Sequence, residues 1–102
     1  MKVYLISRNG KYEAIGDWNV SSLVVLRGSR VKLGNAGNFQ CAKAAERAWA
    51  DAEVVGSSGE VLKNISFKSP STAAQFITKR SVNGWTAWKT KSNKKLNEMR
   101  EK

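Results

Sequence analysis

Asn9-Gly10 sits between two runs of β-prone residues, Val3 to Ser7 and Tyr12 to Ile15. No other short signal in the chain constrains its folding as strongly. In a two-residue hairpin turn both central positions take φ > 0, which Asn and Gly tolerate, so the pair fixes both the chain reversal and the pairing of its flanks. Strands over residues 2 to 8 and 11 to 17 follow. Leu23-Val24-Val25-Leu26, ended by Arg27-Gly28-Ser29, is too short for a helix and supplies a third strand of an antiparallel meander.

Beyond Gly34-Asn35-Ala36-Gly37, Asn38 is placed to cap a helix reaching about Ala52, with Phe39, Ala42, Ala45, Trp49 and Ala52 near one face. Gly56-Ser57-Ser58-Gly59 is a turn, and Val61-Leu62 and Ile65 to Phe67 are short strand candidates. Ser69-Pro70 opens a second helix, because Ser accepts an orphan backbone N–H and Pro needs no partner at the first helical position. Ala73, Ala74, Phe76 and Ile77 give it an inward stripe, and Lys79-Arg80 closes it where cations suit the helix dipole. Asn83-Gly84 then reads as a turn into a strand over residues 85 to 90, with Trp85 and Trp88 on opposite faces. Leu96 and Met99 support a short C-terminal helix, with Glu98 and Lys102 spaced to pair. The expected fold is α+β: a small antiparallel sheet with an N-terminal hairpin or meander, two main helices packed on it, and a short C-terminal helix. Its 102 residues fit one domain, 1–102.

Charge is the most informative total. Eighteen Lys/Arg against eight Asp/Glu leave a net +10, more than solubility requires of so small a domain, and point to a polyanionic partner. The excess is uneven. Residues 68 to 102 hold nine Lys/Arg and two Asp/Glu, a net of +7, against +3 for the rest, so the field is expected to centre on the C-terminal third.

Catalytic chemistry finds little support. The chain has no histidine and one cysteine, Cys41, which removes Ser-His-Asp and Cys-His nucleophilic sites, an internal disulfide and an ordinary zinc site. Cys41 falls in the first turn of the expected first helix and is read as a small structural residue. The eight carboxylates are scattered along the sequence, Gly34 to Gly37 lacks the Gly-Lys-Ser/Thr ending of a nucleotide loop, and Glu60 to Lys63 is read as a solvated hairpin edge. No catalytic residue, metal or cofactor is expected. No apolar run approaches the ~18 residues of a membrane span. A polar interruption at Ser7, Arg8 and Asn9 breaks any secretory leader, so a cytoplasmic location without membrane contact is expected.

The stretch from Lys68 to Lys91 carries Ser69-Pro70-Ser71-Thr72-Ala73-Ala74, Arg80-Ser81-Val82-Asn83-Gly84-Trp85 and Trp88-Lys89, with Leu96 beyond. This pattern resembles the small C-terminal domain of unknown function attached to GIY-YIG nucleases and restriction-system proteins, and the related RAMA (restriction-system adenine methylase associated) domain. The RAMA-like motif covers residues 67–100. Leu23 to Ser29 is similar to a segment preceding the motif in such proteins, extending the likeness to roughly residues 12 to 100. The resemblance implies an α+β module of restriction and modification that binds DNA and, in the RAMA relatives, methylated adenine. Any catalysis then belongs to a separate nuclease or methylase.

The residues offered for nucleic-acid contact follow from charge and position. Lys79, Arg80, Lys89 and Lys91 would neutralise phosphates, with Arg27, Arg30 and Lys32 as a second basic patch. Ser81, Asn83 and Gly84 would lie in the turn, where a short polar side chain reaches a base edge and a glycine lets the phosphate chain approach. Whichever of Trp85 and Trp88 faces outward could stack on a base; a turn-forming Asn83 and two core tryptophans satisfy the same sequence. The expected function is a non-catalytic nucleic-acid-binding module, duplex DNA favoured, with sensitivity to adenine modification. The alternative is a protein-interaction module, an adaptor, regulator or inhibitor, docking on an acidic nuclease or methylase.

Overall fold

The computed structural model describes residues 1–7, 9–19, 22–33, 43–80 and 82–99, and it is α+β as expected. Four antiparallel strands lie in chain order: β1 (Lys2–Ile6), β2 (Glu13–Trp18), β3 (Leu23–Val25) and β4 (Ile65–Phe67). The helices are α1 (Lys43–Ala50), α2 (Pro70–Thr78) and a single turn, α3 (Gly84–Ala87), and a 3₁₀ turn spans Leu96–Met99.

Alternation along each strand divides the sheet into two faces. Val3, Leu5, Ala14, Leu23, Val25 and Phe67 are buried beneath the helices. Lys2, Tyr4, Ile6, Glu13, Ile15 and Asp17 point the other way, and the register sets Tyr4 opposite Ile15 and Ile6 opposite Glu13 on that outer face. The loop joining β1 to β2 is longer than the two-residue turn expected from Asn9-Gly10. The Ser7 N–H donates to the Tyr12 carbonyl (3.1 Å), and Gly10 takes φ +73 while Asn9 is not in the left-handed region. A wider loop needs only one residue with positive φ, which glycine supplies.

Helix α1 ends at Ala50 and buries Ala45 and Ala48. Ala52, expected on that face, is exposed because the helix stops short of it. The expected Asn38 cap, Phe39, Cys41, Ala42, the Gly34 to Gly37 loop and Lys102 lie outside the described residues. Small alanines let α1 approach α2, and the Trp49 indole N–H donates to the Phe76 carbonyl (2.7 Å). Ser69 caps α2 as its sequence predicts: the hydroxyl accepts from the Thr72 N–H (3.1 Å), and Pro70 occupies the first turn. Ala73, Ala74, Phe76 and Ile77 are all fully buried, and Lys79 closes the helix in the left-handed conformation at φ 55.

The strand expected over residues 85 to 90 is not formed. Residues Gly84–Ala87 make the turn of helix, and Asn83 is its N-cap, with Oδ1 accepting from the Trp85 N–H (3.0 Å). Trp85 and Trp88 stand three apart, a spacing that an alternating strand and a helical turn both accommodate. The capping oxygen decides for the helix. Only Lys89 behaves as a strand residue. Its N–H and C=O exchange hydrogen bonds with Tyr4 (3.0 and 2.7 Å), adding one rung to the free edge of β1.

Candidate nucleic-acid interface

The motif residues first offered as a binding surface are engaged with one another. Trp88 is fully buried, and its indole N–H donates to the Pro70 carbonyl (3.0 Å). The Gly84 N–H donates to the Ser71 hydroxyl (3.0 Å), and a Cβ on Gly84 would overlap the Pro70 carbonyl group and the Ser71 nitrogen. The motif thus clasps the start of α3 against the start of α2. Ser71, Pro70, Gly84 and Trp88 make that contact, while Ser69 and Asn83 cap the two helices it joins. Trp85 is half-buried and meets Trp18 edge to face, with ring centroids 5.3 Å apart. Ser81 lies outside the described residues.

The basic residues gather elsewhere. Four depressions adjoin in succession, each sharing lining residues with the next. The first, about 440 Å³, is lined by Tyr4, Ile6, Ala87, Lys89, Thr90, Lys91 and Asn93. Ile6 links it to a second of about 380 Å³, where Lys11, Lys32 and Arg80 surround Tyr12, Ser7 and Asn9. Lys11 and Lys32 continue into a third, which adds Arg30 and Leu33. Val31 and Leu33 lead to a fourth, beside Trp49 and Lys79. Seven cations therefore line a continuous belt: Lys11, Arg30, Lys32, Lys79, Arg80, Lys89 and Lys91. Among the described residues no Asp or Glu lines any of these four depressions.

Local structure explains the gathering. The chain leaving Arg30 pairs with Gly59 and then with the end of α2, where the Lys32 N–H donates to the Ile77 carbonyl (2.8 Å). That pairing carries Lys32 to the helix terminus that also bears Lys79 and Arg80. Lys79 holds its ammonium 5.5 Å from the centre of the Trp49 ring, and partial burial there pushes its pKa down from the usual lysine value. Neither ion pair within the described residues, Met1 ammonium to Asp17 (3.0 Å) and Lys63 to Glu53 (3.9 Å), draws on a belt cation.

The belt only partly follows the sequence-based selection. Lys79, Arg80, Lys89, Lys91, Arg30 and Lys32 line it, while Asn83, Gly84 and Trp85 do not. Arg27 also lies outside these depressions; its backbone N–H donates to the Asn64 carboxamide oxygen (2.8 Å). Arg30 is flanked across its bridges by Glu13 and Glu60, which offset its charge. Lys11, Arg30 and Lys32 bring belt cations from outside the C-terminal third. Lys11 was missed because its place in a hairpin loop gives no hint that Lys32 and Arg80 come to meet it. Tyr4 and Tyr12 were missed as well, having been counted only as strand residues.

Among the described residues no three Cys, Asp or Glu cluster as metal ligands would, and no helix is long and apolar enough to cross a membrane. No curated protein and no solved structure matches the chain. A family described as a domain of unknown function (DUF4357) matches residues 4–100, which take in the sheet from within β1 onward, all three helices and every belt cation, and the chain belongs to that family.

Proposed function

We propose that this protein is a non-catalytic nucleic-acid-binding module that holds a phosphate backbone along its basic belt. The observation carrying this reading is the lining itself: among the described residues, seven cations and no carboxylate over four adjoining depressions. Phosphates neutralised one after another release counterions, giving affinity that is salt-dependent and indifferent to sequence. Asn83, the residue offered for reading adenine, uses its carboxamide oxygen as a helix cap, so backbone contact is better supported than base-edge recognition. The resemblance to restriction-system domains supplies a setting, in which a separate nuclease or methylase performs the chemistry on the nucleic acid this module holds.

Titration of labelled DNA duplexes, with and without adenine methylation, single strands and RNA at several salt concentrations tests the proposal. Affinity should fall with log-log slopes of about 0.9 per phosphate contacted on duplex and about 0.7 on single strands. The double variant Lys32→Glu/Arg80→Glu should weaken binding to every sequence. Salt-independent binding, or none at low salt, would reject the reading. Capture of an acidic protein that survives nuclease treatment would favour the adaptor alternative.

A further inference from the structure

The belt is not uniform, and its difference bears on which form of nucleic acid it takes. The depression beside Arg30 presents cations and aliphatic carbon, and in the one beside Lys79 the only aromatic lining residue, Trp49, already faces the Lys79 ammonium and gives its N–H to the Phe76 carbonyl. The other two add tyrosine. Tyr4 shares the first with Ile6, Ala87, Lys89 and Lys91, and Tyr12 shares the next with Ile6, Lys11, Lys32 and Arg80. Between the two phenols Ile6 is 61% exposed, the most exposed large apolar side chain among the described residues.

Tyr4 and Ile6 belong to the outer face of the sheet, whereas Tyr12, two residues before the buried Ala14, packs against the core and meets the strip only at its edge. Tyr4 is paired with Ile15, 39% exposed, on one side and with Lys89 on the other, and Lys89 pairs in turn with Lys95. Residues directly opposite in antiparallel pairs project to the same side, so two lysines, a phenol and an isoleucine form one row. The core and the helices lie behind the sheet.

We infer that this tyrosine-bearing part of the belt holds unpaired nucleotides, making single-stranded nucleic acid the ligand class; the inference rests on the nucleic-acid reading above. In a duplex the base faces are stacked away and only edges and phosphates are offered. An open sheet face with aromatic and apolar side chains between lysines suits the opposite case, exposed base planes carried on a charged backbone. Bases lie against Tyr4 and Ile6, while Lys11, Lys32, Arg80, Lys89 and Lys91 neutralise the phosphates. Stacking of this kind tolerates any base, so no strong sequence preference is expected.

The test compares a labelled oligothymidylate with a mixed-sequence duplex of equal length at matched low salt, using the full chain. The wild type should bind the single strand more tightly. Tyr4→Leu keeps apolar bulk but removes the ring, and should weaken single-strand binding about tenfold while leaving duplex binding unchanged. Ile6→Ser, at an exposed position, should weaken it in the same selective way and serves if Tyr4→Leu fails to fold. Lys32→Glu/Arg80→Glu should weaken both ligands. Tighter duplex binding by the wild type, or equal losses on both ligands in the tyrosine and isoleucine variants, would overturn this inference while leaving the backbone-binding proposal standing. Failure to bind either ligand would remove both.

Discussion

Gly84 shows how little freedom the motif leaves. Its φ is not unusual, so the requirement for glycine is one of space: Pro70 and Ser71 backbone atoms occupy the volume of a side chain. Backbone cannot rotate aside as a flexible side chain does, so Gly84→Ala should destabilise the domain by about 3 kcal/mol, the upper part of the usual overpacking range. Thermal melting should record a loss of roughly 12 to 24 °C at this chain length; a change of a degree or two would mean that the α2–α3 contact yields. Gly16 differs, because a Cβ there would come within 2.8 Å of the end of the Leu23 side chain, which can move. Lys79 provides a second check at this scale. Burial lowers its pKa below 10.5, so in the folded chain the charged form is disfavoured. The associated loss of stability is fully present below the folded pKa and disappears as pH rises towards the unfolded value. A bound polyanion acts in the opposite sense, and NMR titration of the Lys79 side chain should show its pKa rising when an oligonucleotide is added. No movement would place the polyanion elsewhere.

At the level of elements, the α2–α3 junction joins two short helices that neither length nor propensity would hold alone. The indole N–H of Trp88 satisfies a carbonyl in the first turn of α2, away from solvent. Trp88→Phe retains most of the apolar contact but removes a buried hydrogen bond, a cost of about 0.5–1.5 kcal/mol measurable by urea denaturation. An unchanged midpoint would assign the tryptophan's role to packing alone. This junction also marks where sequence reading reaches its limit. Ser69, Pro70 and the stripe from Ala73 to Ile77 are local signals, and the structure places all of them as their chemistry dictates. Trp85 to Thr90 resembles a strand when read alone, because the residues that make Gly84 a contact point, Pro70 and Ser71, lie more than ten residues earlier. The Asn9-Gly10 signal gave the correct hairpin but too short a loop, since loop length depends on how Ser7 and Tyr12 pair.

Across the whole molecule the net charge is +10, the described residues form two ion pairs, and the core must hold together cations that repel one another. Salt screens that repulsion, so the melting temperature should rise between low and physiological ionic strength, the reverse of what a fold held by surface ion pairs would show. A fall with added salt would mean that attractive pairs dominate. The total charge was legible from composition, but its arrangement was not. Lys11, Lys32 and Arg80 are distant in sequence and meet only because the chain after Arg30 is drawn to the end of α2.

The rung between Tyr4 and Lys89 has a consequence for synthesis. The first strand leaves the ribosome with one edge bare, and the residue that closes it is translated 85 positions later. Until then the nascent chain carries an open β edge beside an exposed isoleucine, so the interval before Lys89 emerges is when this protein is most open to pairing with a neighbouring chain.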